Sequence, residues 1–429
     1  MRRIGGLALA ILTTGALIGA GAGAAGGAPG GGPAARGGPP PVPEKPKLNG
    51  RIFFSAATEA TGAELWRSDG TKAGTKLVKN INPGPDGSFP SEFARLGKRI
   101  IFQATDGDGD ELWKTDGTRA GTRKVKDIND GSDSSFPGDL LRFRDILLFR
   151  ARDTDDDPEL WRTDGTKAGT KLLKDINPGL LGSGPSGFGR LGKRVFFAAD
   201  DGTNGVEMWK TNGTRAGTSL FKSLTPGSDD SYPGGFTKLG RRLIFQANTD
   251  DLGFELFRTN GTRARTRRIA DLASGTDSSF PFLFTRLGDA LVFSASDSAA
   301  GRELWKTEGT GATTKRVKNI NPGTVDSFPS SFAKLGRKVL FQAQTLAKGT
   351  ELWTTNGKTA GTRLLKDIND GPASAFPCGM TKLGDRVLFG AETDEHGFEL
   401  WRSDGSGPGT KLLKVLDPGL GDGDPFGCD

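Results

Sequence analysis

The stretch ELWRSDGTKAGT, residues 64–75, sets an acid (Glu64), an aromatic (Trp66), a Ser68-Asp69 pair and glycines within reach of one another. A carboxylate beside a hydroxyl is material for proton transfer or nucleophilic attack. The same stretch returns as ELWKTDGTRAGT from Glu111 and ELWRTDGTKAGT from Glu159, and then from Glu207, Glu255, Glu303, Glu351 and Glu399. Eight copies follow one another at spacings of 47 residues once and 48 residues six times. A period of this length marks an array of like supersecondary units. Eight equivalent copies are more than a catalytic centre uses, so the recurring glutamate reads as structural. The Asp-Gly or Asn-Gly that follows reads as turn chemistry, in which the glycine takes positive φ. Chemistry is then sought where one unit departs from the rest.

Two acidic loops stand out. Asp106, Asp108 and Asp110 form DGDGD, and Asp153, Asp155, Asp156 and Asp157 lie in DTDDD. Alternating aspartates supply oxygen ligands to Ca²⁺, the one candidate cofactor. Neither loop completes an EF-hand, because no glutamate falls at the twelfth position, and solvated turns are the alternative. The fifth unit gathers Arg263, Arg265, Arg267 and Arg268, with Arg265 in place of the usual glycine. That set suits an anionic ligand held by charge-assisted contacts, against a simply solvated edge. His396 is the one histidine, so a histidine-based triad or multi-histidine zinc site has no material. No G-x-S-x-G, HExxH or P-loop pattern occurs, and no enzyme activity is expected. The links DGSDSSFP, PGSDDSYP, SGTDSSFP and PGTVDSFP bring Asp and Ser to one mouth of whatever encloses them. Asn212-Gly213-Thr214 and Asn260-Gly261-Thr262 match glycosylation sequons but are variants of the turn.

The elements that position these residues follow from one unit. FPSEFARLG, KRIIFQA, ELWKT and TRKVKDI are short runs of branched and aromatic residues parted by Gly, Asp and Pro, which predicts four strands and three hairpins. The runs are apolar at consecutive positions, as in sheets buried on both faces. Four-stranded sheets covered by their neighbours in a ring make a β-propeller. The fold expected is therefore all-β: a propeller of eight four-stranded blades of about 48 residues, with seven possible if a terminal unit stays out. The FP-type strand is expected innermost and the VKDI strand outermost. Outer-strand lysines from Lys79 to Lys414 are expected to block edge-to-edge pairing. Only seven units have the FP-type strand, so the first must borrow one from Val42–Leu48 or from the C-terminal tail. Cys378 and Cys428 stand at nearly equivalent places one repeat apart, and a disulfide between them would clasp the ring; two unpaired thiols are the alternative.

At this point the chain resembles the ELWxxDGT-repeat proteins, bacterial exported proteins with blade-like repeats. The likeness covers residues 50–415 and implies export and a repeat scaffold, with no defined reaction. A fainter likeness links the turns to the Asp-box of sialidase-type propellers. It carries no chemistry over, because those enzymes use a tyrosine nucleophile and Tyr232, the sole tyrosine, stands where other units have Phe.

Residues 1–25 read as a signal peptide, with Arg2-Arg3 ahead of an apolar run and small residues; residues 26–46 read as a Gly/Pro-rich linker, and 47–429 as the propeller. The net charge of +7 becomes +5 once Arg2 and Arg3 leave, and charges of both signs are interleaved. That argues against nucleic acid as partner. The chain is thus expected to be secreted, extracellular or at the cell surface, with the periplasm as alternative. It is expected to act as a monomeric, non-catalytic binding or scaffold module without a membrane span, its partner a protein or polysaccharide. A polysaccharide-binding propeller is the runner-up, and a polysaccharide-cleaving enzyme comes third.

Overall fold

A computed structural model describes residues 45–417, apart from 154–156, 180, 226, 228, 250 and 251, together with 423, 425 and 426. The expected signal peptide and all but the end of the linker lie outside the described residues.

Eight antiparallel sheets of four strands follow one another, each ordered as the chain runs. Blade two is typical: Ser91–Leu96 is innermost, then Arg99–Thr105, Asp110–Thr115 and the outermost Arg123–Lys126. The architecture is an eight-bladed propeller. The described residues contain no α-helix, only three 3₁₀ turns such as Arg263–Arg265. No helix among them is long and apolar enough to cross a membrane.

The core lies between blades. Ile100, Phe102 and Trp113 of blade two pack against Phe53, Leu65 and Val78 of blade one, and each later seam repeats the pattern. The phenylalanine of the second strand is fully buried in all eight blades, from Phe54 to Phe389. The ring closes because Ile52, Phe54 and Trp66 of blade one meet Leu388, Leu400 and Leu413 of blade eight.

Blade one draws its inner strand from both candidate sources. Lys47–Leu48 pairs with Arg51 and Ile52, while in the tail Phe426 donates its N–H to the Ser55 carbonyl at 2.8 Å. Ala57 donates to Gly423 O, as Thr105 donates to Ser88 O in blade two. The two chain ends thus share one strand position. Phe426 packs against Phe54, the rings tilted by 32° with centroids 5.1 Å apart.

The outer-strand lysines also join one blade to the next. Lys79 Nζ donates to the Thr122 carbonyl of the next blade at 3.0 Å and lies 5.4 Å above the Trp113 ring. Lys174 repeats this on Thr218 and Trp209, and Lys414 on Thr75 and Trp66 across the closing seam. A stem laid along apolar surface with its ammonium on a carbonyl and a ring face is an inter-blade staple.

Candidate functional site

The recurring glutamates are buried anchors. Glu64 accepts from the Ile81 and Asn82 N–H groups at 2.8 and 3.0 Å and from Ser88 Oγ at 2.7 Å, fixing the link to the next blade. Burial holds the carboxyl above its ordinary range despite these donors. The Ser-Asp-Gly that follows is a self-contained turn. Asp69 Oδ1 accepts from the Thr71 N–H and hydroxyl, and Ser68 Oγ meets Thr75 Oγ1 at 2.7 Å. Neither group is available for catalysis.

The axis is different. Every inner strand of blades two to eight carries a bulge: Ser91 pairs with Gln103 but Ala94 pairs with Ile101, so Glu92 and Phe93 face one partner residue. The first bulge residue has left-handed φ throughout: Glu92 at 54°, Asp139 at 57°, Gly187 at 64°, Gly235 at 68°, Leu283 at 60°, Ser331 at 51° and Gly379 at 58°. This one position, fixed in backbone, varies fully in side chain. Glu92 Oε2 accepts the Asp139 N–H at 2.8 Å, and Asp139 Oδ1 accepts the Gly187 N–H at 3.3 Å, so each carboxylate reaches to the next inner strand. Arg150 stands beside them, Nη1 at 3.9 Å from Asp139 Oδ2. Crowding by the inner strands pushes both carboxyls up, although Glu92 keeps an exposed surface; the Asp139 charge pushes Glu92 further, while Arg150 draws each back. At the bulge position, therefore, carboxylates stand in blades two and three, with Arg150 and Lys45 near them, and blades four to eight have Gly, Leu or Ser there.

Above it runs an aromatic rim. Phe89, Phe136, Tyr232, Phe280, Phe328 and Phe376 open their inner strands with φ of 40–45°, and Gly184 holds that place in blade four at 52°. Phe89, Phe136, Phe328 and Phe376 are about half exposed, at 46–61%. Arg152 lies 5.5 Å over the Phe136 ring.

The expected site residues are dispersed. Asp106 pairs with Lys124 Nζ at 2.9 Å, Asp108 is exposed, and Asp110 opens the third strand of blade two. Asp155 lies outside the described residues, and Asp153 is half-buried. Asp157 comes together instead with Glu159 and Asp175, three carboxylate oxygens within 4.8 Å, a set able to hold a metal ion. Asp157 occupies the place where the other blades have glycine, as at Gly62 and Gly109. Comparing units position by position would have found this departure, and Glu92 and Asp139 too.

The four arginines of blade five do not converge. Arg263 Nε donates to the Phe221 carbonyl of blade four, and Arg268 pairs with Asp271 at 3.1 Å. Arg265 is exposed, and Arg267 lies opposite Arg258. Cys378 opens the inner strand of blade eight, while Cys428 lies outside the described residues.

No family model matches the chain, and no curated protein matches it. Solved structures do. A puromycin-hydrolyzing peptidase of Mycobacterium tuberculosis is 12% identical with a TM-score of 0.51, over 78% of this chain and 54% of its own. A structure from a study of two prolyl endopeptidases is 11% identical with a TM-score of 0.50, over 75% of this chain and 49% of its own. The chain spans about half the length of these proteins. Identities this low speak for the shared fold.

The expectation of a non-catalytic scaffold module at the cell surface, or of a polysaccharide-binding propeller, is corrected by these matches, which are to peptidases. The geometry agrees. A lectin built from repeats would offer equivalent polar pockets around the ring, whereas at the bulge position carboxylates stand in blades two and three alone.

Proposed function

We propose that this ring is the propeller part of a peptidase-type protein, and that it admits peptide at its aromatic-rimmed axis. The bond-breaking groups are not assigned to the ring itself. The observation that carries the reading is the rim. Left-handed backbone costs a bulky residue on the order of 1–3 kcal/mol. Gly184 meets the same backbone requirement without that cost. Aromatic residues in the six other units are thus explained by their side chains: Tyr232 and Phe280 stack on Phe254, while the exposed Phe89, Phe136, Phe328 and Phe376 offer flat apolar faces to proline rings and other apolar peptide groups. Below the rim, Glu92 and Asp139 suit the ammonium of a peptide N-terminus or a basic side chain.

The test is fluorescence anisotropy of labelled proline-containing peptides with the whole chain. Saturable binding is expected, weakened at least tenfold by Phe89→Ser with Phe136→Ser. Absence of saturable binding to any peptide would overturn the reading.

We also propose export of the chain, with residues 1–25 as its signal, kinship with the ELWxxDGT-repeat proteins, and a Cys378–Cys428 disulfide. For the disulfide, the support is the tail's path: Phe426 pairs with Ser55 and crowds Gly379, the neighbour of Cys378. Peptide masses before and after reduction decide it; two free thiols would sink the clasp.

A further inference from the structure

The chain's alternation puts two kinds of hairpin on opposite faces. Links between blades and the turns joining second to third strands lie beside the aromatic rim. The other face carries the turns joining first to second and third to fourth strands. On that second face the sequence places Lys98-Arg99, Lys193-Arg194, Arg241-Arg242 and Arg337-Lys338 at the tips of the inner hairpins of blades two, four, five and seven, all of them exposed. Farther out, the third and fourth strands end in cations set directly opposite one another, as in Arg67–Lys76, Lys114–Arg123 and Arg258–Arg267. Six of the eight blades do this. Like charges in cross-strand register are destabilising. Lys114 and Arg258 are held below their ordinary ranges, by burial first and then by neighbouring arginines, and they donate to the Gly165 and Gly309 carbonyls in turns of the next blades. Turn carboxylates Asp69, Asp116, Asp164, Glu308 and Asp404 lie on this face too and offset part of its charge. Asp69, Asp116, Asp164 and Asp404 are turned onto their own Thr or Ser neighbours. Asp145, Asp289 and Asp385 weaken the charge at blades three, six and eight.

We propose that this basic face is a docking surface for a bilayer rich in anionic lipid, with the aromatic rim turned away from it. Charge complementarity and layout select that partner. The exposed cations recur at the inner hairpin tips of four blades spread around the ring, not along the single stripe that tracks a polyanionic strand. The hollow lined by Leu96, Lys98, Arg99, Ile101, Asp164 and Gly165 is about 220 Å³, a volume of headgroup size, with Asp164 turned onto Thr166. Each basic residue held near such a surface strengthens binding about fivefold. The proposal is independent of the peptide reading.

The test is flotation of the whole chain with phosphatidylcholine vesicles, with and without phosphatidylglycerol, at physiological ionic strength. Binding to the anionic vesicles alone is expected, falling steeply as salt is raised. Lys98→Glu with Arg241→Glu and Arg337→Glu should reduce it more than about a hundredfold at an unchanged melting temperature. Lys98→Glu alone, a smaller change at an exposed tip, should still reduce it about fivefold or more. Absence of binding to anionic vesicles at low salt would overturn the proposal, as would undiminished binding by both variants. Retention on a duplex-DNA or heparin column without vesicle binding would overturn it in favour of a polymer partner.

Discussion

Glu111 and Asp139 are both carboxylates held by backbone N–H groups in adjoining blades, yet they belong to different regions. Glu111 is fully buried between strand and link and recurs in every unit; it accepts from the Ile128 and Ser135 N–H groups and the Ser135 hydroxyl of its own link. Asp139 stands at the axis, accepts one N–H from the next blade, and meets Gly, Leu or Ser in the equivalent places of blades four to eight. The difference separates two uses of one chemistry. Where eight units agree, the group satisfies donors that any blade of this design would leave orphaned. Where they disagree at a fixed backbone position, the geometry is structural and the side chain is free to serve a ligand.

The strongest break of that comparison is at the agreed position. Glu111→Ala leaves buried N–H groups without acceptors and opens a cavity, and a loss of about 3–5 kcal/mol is expected. The urea midpoint at constant slope measures it. A loss within experimental error would show that the links hold themselves.

The next effect lies inside the agreed set. Glu351 accepts N–H groups from Ile368, Asn369 and Ala375, but Ala375 stands where units such as the first and second have Ser88 and Ser135, so no hydroxyl serves it. Burial pushes its carboxyl up from 4.5 to about 7. The folded state then holds the proton that the unfolded chain has released. Its stabilising contribution is full below about pH 4.5 and is lost as pH rises through about 7. Thermal melts should accordingly fall between pH 5 and pH 8. Ala375→Ser supplies the missing donor and should recover about 1–2 kcal/mol at pH 8, with less gain at pH 5. An equal gain at both values would mean that packing, not the ionised carboxylate, responds to the change.

How much of this could be read from the chain divides along the same line. Blade count, strand order and the aromatic layers follow from local pattern, because Phe102 or Trp113 recurs with fixed offsets from turn residues. The bulge at Glu92 and Asp139 was hidden, since a period-two reading of SEFARL gives no sign of a left-handed residue. DGDGD looks like a ligand set in the sequence, and only the fold shows Asp106 paired with Lys124. The cations of the basic face are interleaved with acids in sequence and separate only when hairpins fold to opposite faces. The lysine staples were hidden for a similar reason, as Lys79 finds its carbonyl 43 residues on, in another blade.

The smallest effect on stability is expected at the disagreed position, and it is the sharpest test of the comparison. Glu92→Gln keeps an oxygen for the Asp139 N–H while removing the charge, so the unfolding free energy should change by less than about 0.5 kcal/mol. Binding of a peptide with a free N-terminus should nonetheless fall at least tenfold, and acetylating that terminus should produce the same loss on the unaltered chain. The two losses should not add, because both remove one contact. The carboxyls of Glu92 and Asp139 are raised above their ordinary ranges, so binding by the unaltered chain should strengthen as pH rises through those raised values, and Glu92→Gln should blunt that rise. Full additivity of the two losses would place the ammonium elsewhere on the ring and leave Glu92 and Asp139 as an inter-blade clasp.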